Sequence, residues 1–147
     1  MKTRIVLYFI VCVILSGCAN SSTRLSMEPG EGVFTFSHEI SKKQRDAYFL
    51  AVEWLSSSIH NVNEVVTLRQ PETGTLIANP SIQIPVSLTS FWGRYTLRIN
   101  CNDNKLTTTF TVGAFENGAY PPKNAMPGIE ENFKIISDGL FEFIENN

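Results

Sequence analysis

The chain has 147 residues, 43% of them apolar and 18% charged, with a formal charge of −2. Such a chain is too apolar and too weakly charged for a disordered tail, and it holds one long apolar run where a polytopic membrane protein needs several. The mild acidity also argues against a nucleic-acid partner, which would ask for clustered excess Lys and Arg.

Residues 1–17 differ from the rest. They carry Lys2 and Arg4, no acid, and an unbroken run of eleven apolar residues from Ile5 to Leu15. At ~1.5 Å rise this run covers about half of a ~30 Å hydrocarbon core, so it predicts an export signal and not a spanning helix. Leu15-Ser16-Gly17-Cys18 then resembles the lipobox of bacterial lipoproteins. The resemblance implies that Cys18 takes a diacylglyceryl group, that a dedicated peptidase cuts before it, and that the mature chain is held to membrane lipid through the acylated Cys18. A buried methylene contributes ~0.8 kcal/mol, so two or three acyl chains on one Cys hold firmly where one is marginal. By analogy with lipoprotein sorting in enteric bacteria, the lack of Asp at the second mature position implies the outer membrane, facing the periplasm. Without residues 1–17 the formal charge falls to −4. Cys12 leaves with the signal and Cys18 is acylated. Cys101 then stands alone, and no internal disulfide is expected.

Residues 18–32 are small and polar after the Cys, broken by Pro29, Gly30 and Gly32, and read as a flexible tether. Extended, fourteen such residues reach at most roughly 50 Å, and as a coil about 20 Å. A single domain is expected over 33–147. Val33 to Phe36 predicts a first strand. Ser41 and Gln44 have capping-box spacing, and Ala47, Ala51, Leu55 and Ile59 recur every four residues, so a helix is expected over about 42–58. Glu64 to Arg69 is rich in β-branched residues, and Pro71-Glu72-Thr73-Gly74 closes a hairpin onto a strand from Thr75 to Val86, interrupted at Pro80. Tyr95 to Cys101 and Leu106 to Ala114 alternate around an Asp103-Asn104 turn. Paired positions then sum to 207, setting Leu97 against Phe110 and Arg98 against Thr109, a register that a one-residue slip would destroy. Glu116 to Gly128, with Gly118, Pro121, Pro122 and Pro127, reads as a loop. A last helix follows, with Ile129, Phe133, Ile136, Leu140 and Phe143 as its seam and Gly139 expected to allow close packing.

The order β-α-β-β-β-β-α predicts an α+β domain of two layers, an antiparallel sheet with both helices packed on one face. The helix from Ser41-Lys42-Lys43-Gln44 to Glu53-Trp54-Leu55, the Glu72-Thr73-Gly74-Thr75-Leu76-Ile77 segment, the Tyr95-Thr96-Leu97-Arg98-Ile99 strand and the strand after Lys105 carry a further resemblance. Together they resemble a small bacterial domain of unknown function with a TBP-like fold, common in lipoproteins and other exported proteins. The likeness spans roughly residues 33–145. It implies a fold and an address, and it brings no active-site residues.

No catalytic constellation emerges. His38 and His60 fall at opposite ends of a helix about 25 Å long and cannot share one ion. Cys101 ends a strand on the apolar face and reads as a buried structural thiol. Ser90 lacks a nucleophile-elbow context, and Glu130 and Glu131 diverge on their helix. An enzyme is not expected, nor any cofactor or metal. The informative surface is the sheet face turned from the helices, expected to carry Arg94, Thr96, Arg98, Asn100, Thr107, Thr109 and Thr111, joined by Thr67 or Arg69. Arg94 and Arg98 are expected to leave this face some 6.5–7 Å apart. The 115–128 loop, with Phe115 and Tyr120, is a second candidate. The functional expectation is a non-catalytic envelope lipoprotein that binds another envelope component, protein or glycan; a structural or assembly factor acting through oligomerisation is the alternative.

Overall fold

The computed structural model describes residues 32–59, 65–86, 89–115 and 118–147. The signal, the lipobox with Cys18, most of the tether and His60 lie outside the described residues. Six strands form one antiparallel sheet: β1 (Val33–Glu39), β2 (Val66–Gln70), β3 (Thr75–Ala78), β4 (Ser81–Val86), β5 (Thr89–Asn102) and β6 (Lys105–Phe115). Their order is β1-β6-β5-β3-β2, with β4 also pairing β5. Helices α1 (Gln44–Ser58) and α2 (Met126–Asn146) pack on one face and against each other. The expected α+β sandwich of sheet and helices is therefore the observed one. Among the described residues no helix is long and apolar enough to cross a membrane.

The β5–β6 hairpin has the expected register. Thr96 to Asn102 pair Thr111 to Lys105 with positions summing to 207, Leu97 against Phe110 among them. The hairpin turns at Asp103-Asn104, where Asn104 takes a φ of 60°, a left-handed conformation Asn tolerates. The alternation buries Tyr95, Leu97, Ile99 and Cys101 on β5 and Leu106, Thr108, Phe110 and Val112 on β6. Phe133 of α2 stacks on Phe110 with centroids 4.5 Å apart and approaches Tyr95 at 4.9 Å and Phe34 at 5.8 Å. This aromatic cluster holds α2 to the sheet.

Two features of β5 were not expected. It runs for 14 residues and starts at Thr89, six before Tyr95. Its partner on the other side is the whole 75–86 segment, which divides into β3 and β4 and raises the strand count to six. Both halves keep one register, in which Thr75 meets Asn100, Ser81 meets Arg94 and Val86 meets Thr89. Across the break, Pro80 has no N–H to give but its carbonyl accepts from Tyr95 N at 3.1 Å. The interruption leaves the ladder in step.

Both helix starts depart from expectation. Ser41 and Gln44 form no capping box: Lys43 holds the N-cap position without a side-chain bond. Asp103, from the β5–β6 turn, caps the helix instead, its Oδ1 accepting from Gln44 N at 3.0 Å, while Gln44 Nε2 donates to the Glu72 carbonyl. Ser41 is engaged elsewhere, its N and Oγ both donating to Glu145 near the end of α2. The first orphan amide of α1 is thus met by a residue 59 positions away. At α2 the expected loop ends early. A 3-10 turn at Lys123–Ala125 leads into a helix that starts at Met126, so Pro127 and Gly128 lie in its first turn. Proline is well placed there because its missing N–H would have no helical partner.

The inward seam of α2 is Ile129, Phe133, Ser137, Leu140 and Ile144. Ile136 and Phe143, expected in the seam, are only half-buried. Gly139 does not serve close packing, since a Cβ added there meets nothing within 4 Å.

Candidate functional site

The outer face of the sheet is built by the alternation that makes the core. The outward positions of β5 are, in order, Trp92, Arg94, Thr96, Arg98, Asn100 and Asn102; those of β6 are Lys105, Thr107, Thr109 and Thr111. Reading across the strands, Thr35, Thr109, Arg98, Ile77 and Leu68 form one row. Val33, Thr111 and Thr96 form the next, continued by Asn79, whose Oδ1 accepts from Thr96 Oγ1 at 2.8 Å. Arg94 stands in the row beyond, opposite Ser81.

Small polar side chains on this face largely satisfy one another. Thr35 pairs with Thr109 and Ser37 with Thr107, each at 3.3 Å, and Thr75 donates to Asn100 at 3.2 Å. Thr67 sits at a bulge in β2 and joins the face by accepting from Asn79. Arg69 does not join it. It pairs with Leu76, whose side chain is buried, and so belongs to the helix side, near Tyr48.

The arginines differ from their neighbours. Arg94 and Arg98 are exposed, and among the described residues neither guanidinium has a hydrogen bond or an ion pair. They are not successive outward positions, because Thr96 stands between them; their stems leave the sheet roughly 13 Å apart, not 6.5–7 Å. No acidic residue occupies an outward position of β5 or β6. Among the described residues, Glu39 reaches the face at its far end, directly across from Lys105. Arg94 keeps its place through a bulge, where β6 carries an extra residue and Gly113 lets the Arg94 carbonyl approach; a Cβ there would lie 2.7 Å from that oxygen.

Arg94, Thr96, Arg98, Thr109 and Thr111 are thus brought together on one face. Phe115 ends β6 opposite Gly93, and its side chain is outside what the structure describes. Tyr120 is 46% exposed in the segment before α2 and makes no described contact with the arginines. Sequence reasoning missed Trp92, which is 53% exposed on the same line as the arginines and directly across from Gln83. The signal was present, since the period-two pattern from Arg98 to Arg94 reaches Trp92 when β5 is allowed to run past Gly93.

A second constellation lies on the helix side. His38 Nε2 is 3.1 Å from Ser137 Oγ, and Asp138 Oδ1 is 3.6 Å from the same nitrogen. A catalytic triad would place the carboxylate on Nδ1. Ser137 is also fully buried and bonded to Thr108 Oγ1 at 2.7 Å, so the group fastens α2 to β1 and β6. His38 stacks on Phe141 at 4.8 Å. Cys101 is fully buried, and that burial pushes its thiol up to about 12, which withholds the nucleophilic thiolate at neutral pH.

Residues 36–114, more than half of the chain, match the domain of unknown function (DUF4468) with TBP-like fold. The chain belongs to the DUF4468 family. The match runs from the middle of β1 to the penultimate residue of β6 and leaves α2 outside it. Solved structures extend the likeness over more of the chain. A TBP-like protein from Parabacteroides distasonis superposes with a TM-score of 0.64 at 13% identity, covering 84% of this chain and 98% of that one. A DUF4468 family protein from Bacteroides ovatus gives 0.52 at 10% identity, covering 84% and 89%. At such identities the likeness concerns the fold. No curated protein matches the chain. Among the described residues the helices of the DUF4468 fold cover one sheet face, and the other face carries the arginine line.

Proposed function

We propose that this chain is a lipid-anchored protein of the cell envelope whose DUF4468 domain is a non-catalytic recognition module. It binds an anionic group on another envelope component through the outer sheet face. The observation that supports this reading is the pair Arg94 and Arg98, exposed and without a partner among the described residues on a face whose small polar groups are mostly bonded to one another. Folding does not require two unpaired guanidiniums there, and each offers a planar fork suited to a carboxylate or phosphate. The anchor rests on Leu15-Ser16-Gly17-Cys18 with its basic and apolar leader, and the outer membrane facing the periplasm is the proposed address.

The test is crosslinking and capture from intact envelopes with the wild type and an Arg94→Gln/Arg98→Gln variant. The wild type is expected to capture a component distinct from itself, with capture fading as salt rises. The variant is expected to melt within a few degrees of wild type and to lose capture. Undiminished capture by the variant refutes the role of this face, and crosslinks solely between copies of the chain refute the recognition reading in favour of assembly.

A further inference from the structure

Resting on that reading, we infer that the partner is an acidic glycan, and that Trp92 is the platform on which one of its sugar rings lies. Among the exposed large apolar side chains, Trp92 stands in line with the two arginines. Phe49 is backed by Arg45 and Tyr48, with the Arg45 guanidinium carbon 5.9 Å from its ring, and Ile135 lies on α2. Trp92, by contrast, is 53% exposed on an open strand face. Its cross-strand neighbour is the exposed, polar Gln83, so no apolar side chain on β4 faces it across the pair.

The chemistry along β5 fits a sugar chain better than a peptide or a nucleic acid. An exposed indole offers a flat apolar surface to the C–H face of a pyranose. Gln83 beside it, with Ser81, Asn79 and Thr96 in the following rows, supplies amide and hydroxyl groups of the kind that meet sugar hydroxyls. Arg94 follows ~6.5–7 Å along the strand and Arg98 roughly 20 Å from Trp92, a line on which acidic substituents of an extended polymer can be met in turn. A docked peptide helix or apolar segment would need a continuous apolar groove, and here Arg94, Ser81, Thr96 and Asn79 stand between Trp92 and the half-buried Ile77 and Leu68. Single-stranded nucleic acid would place a charge at every step, and the domain offers two arginines in line on a net acidic chain.

The test uses the full mature chain in detergent, carrying Trp54→Phe so that Trp92 is the remaining indole. It is titrated with polygalacturonate, dextran sulfate, neutral dextran, polyglutamate and single-stranded oligodeoxythymidine. An acidic glycan is expected to shift the indole emission and bind in a salt-dependent way, polygalacturonate reporting a carboxylate source and dextran sulfate a sulfate ester. Neutral dextran and polyglutamate are expected to bind at least about tenfold more weakly, the first for want of charge and the second for want of rings. Read by titration calorimetry, since these variants hold no indole, Trp92→Ala should weaken glycan binding by about tenfold or more, and Trp92→Tyr should retain much of it. Equal binding of polyglutamate or oligodeoxythymidine, or an unaltered affinity in Trp92→Ala, overturns the glycan assignment. The envelope capture by Arg94 and Arg98 can survive that result, so the two failures are distinguishable.

Discussion

Thr108 Oγ1 and Ser137 Oγ lie 2.7 Å apart, and both residues are fully buried between sheet and helix. They join β6 to α2, and His38 of β1 completes the contact at 3.1 Å from the Ser137 oxygen. A buried hydroxyl is costly only when its partner is removed. Ser137→Ala should therefore destabilise the domain by about 1–3 kcal/mol, by stranding the Thr108 hydroxyl in a dry core. Adding Thr108→Val removes the stranded group, and the double variant should unfold at a higher urea concentration than Ser137→Ala. Simple additivity of the two single changes in urea melts would contradict this coupling.

Leu97 and Phe110 face each other across the β5–β6 ladder, and neither is more than 1% exposed. Truncating either to Ala should cost roughly 2–5 kcal/mol, the range for emptying a packed core position. Thr109, one residue along and on the outer face, should tolerate Ala within about 1 kcal/mol. Similar losses at Thr109 and Phe110 would be incompatible with the register.

What could be read from the residues followed the reach of the signal. The 207 register was legible because a two-residue turn fixes it and alternation checks it at every pair. The cap of α1 was not, because Asp103 comes from a hairpin tip far away in sequence and nothing near Ser41 announces it. The seam of α2 was misread at two positions, with Ser137 and Ile144 buried where Ile136 and Phe143 were expected; the first has a related cause, since Ser137 is polar by itself and becomes a core residue only when Thr108 and His38 meet it. The arginine face emerged from alternation within β5. Trp92 escaped because Gly93 and Ser90 resemble the end of a strand, whereas the structure keeps Gly93 buried in the ladder opposite Ile82.

Two glycines give opposite expectations. Gly74 has a φ of 64°, and a Cβ on it would sit 2.0 Å from the Cys101 carbonyl oxygen, the hairpin turn pressing against β5. Gly74→Ala should be severely destabilising, for both backbone and steric reasons. Gly139 lies inside α2 with nothing near its missing Cβ. Gly139→Ala should raise stability by about 0.5–1 kcal/mol, through helix propensity and a less free unfolded chain. Thermal melts of the two variants should move in opposite directions from wild type, and a destabilised Gly139→Ala would mean that α2 packs more tightly there.

The lipobox reading makes its own demand. Cys18→Ala removes the sulfur that would carry the diacylglyceryl group, so acyl labelling should vanish and the precursor should remain uncleaved. A variant that still matures to the same amino terminus and sediments with membranes would rule out Cys18 as the anchor.

Burial of Cys101 and Tyr95 contributes to the response to alkali, beside a smaller rise at Tyr48 from the same cause. Desolvation pushes the Cys101 thiol from 9.0 up to about 12 and the Tyr95 phenol from 10.0 up to about 12. In the unfolded chain both would ionise near their ordinary values, while the folded chain keeps them protonated. The unfolded state therefore loses protons first as the pH rises. The stabilisation is fully present below about pH 9 and is lost progressively as the pH climbs through the folded values. Urea midpoints should fall between about pH 8 and about pH 11, and they should fall less steeply for Tyr95→Phe/Cys101→Ala. The same burial should shield Cys101 from iodoacetamide in the native chain and expose it in denaturant, with labelling tracking the unfolded fraction. Rapid native labelling at neutral pH, or an alkaline slope identical in the double variant, would show that these groups are not held in the dry layer between sheet and helices.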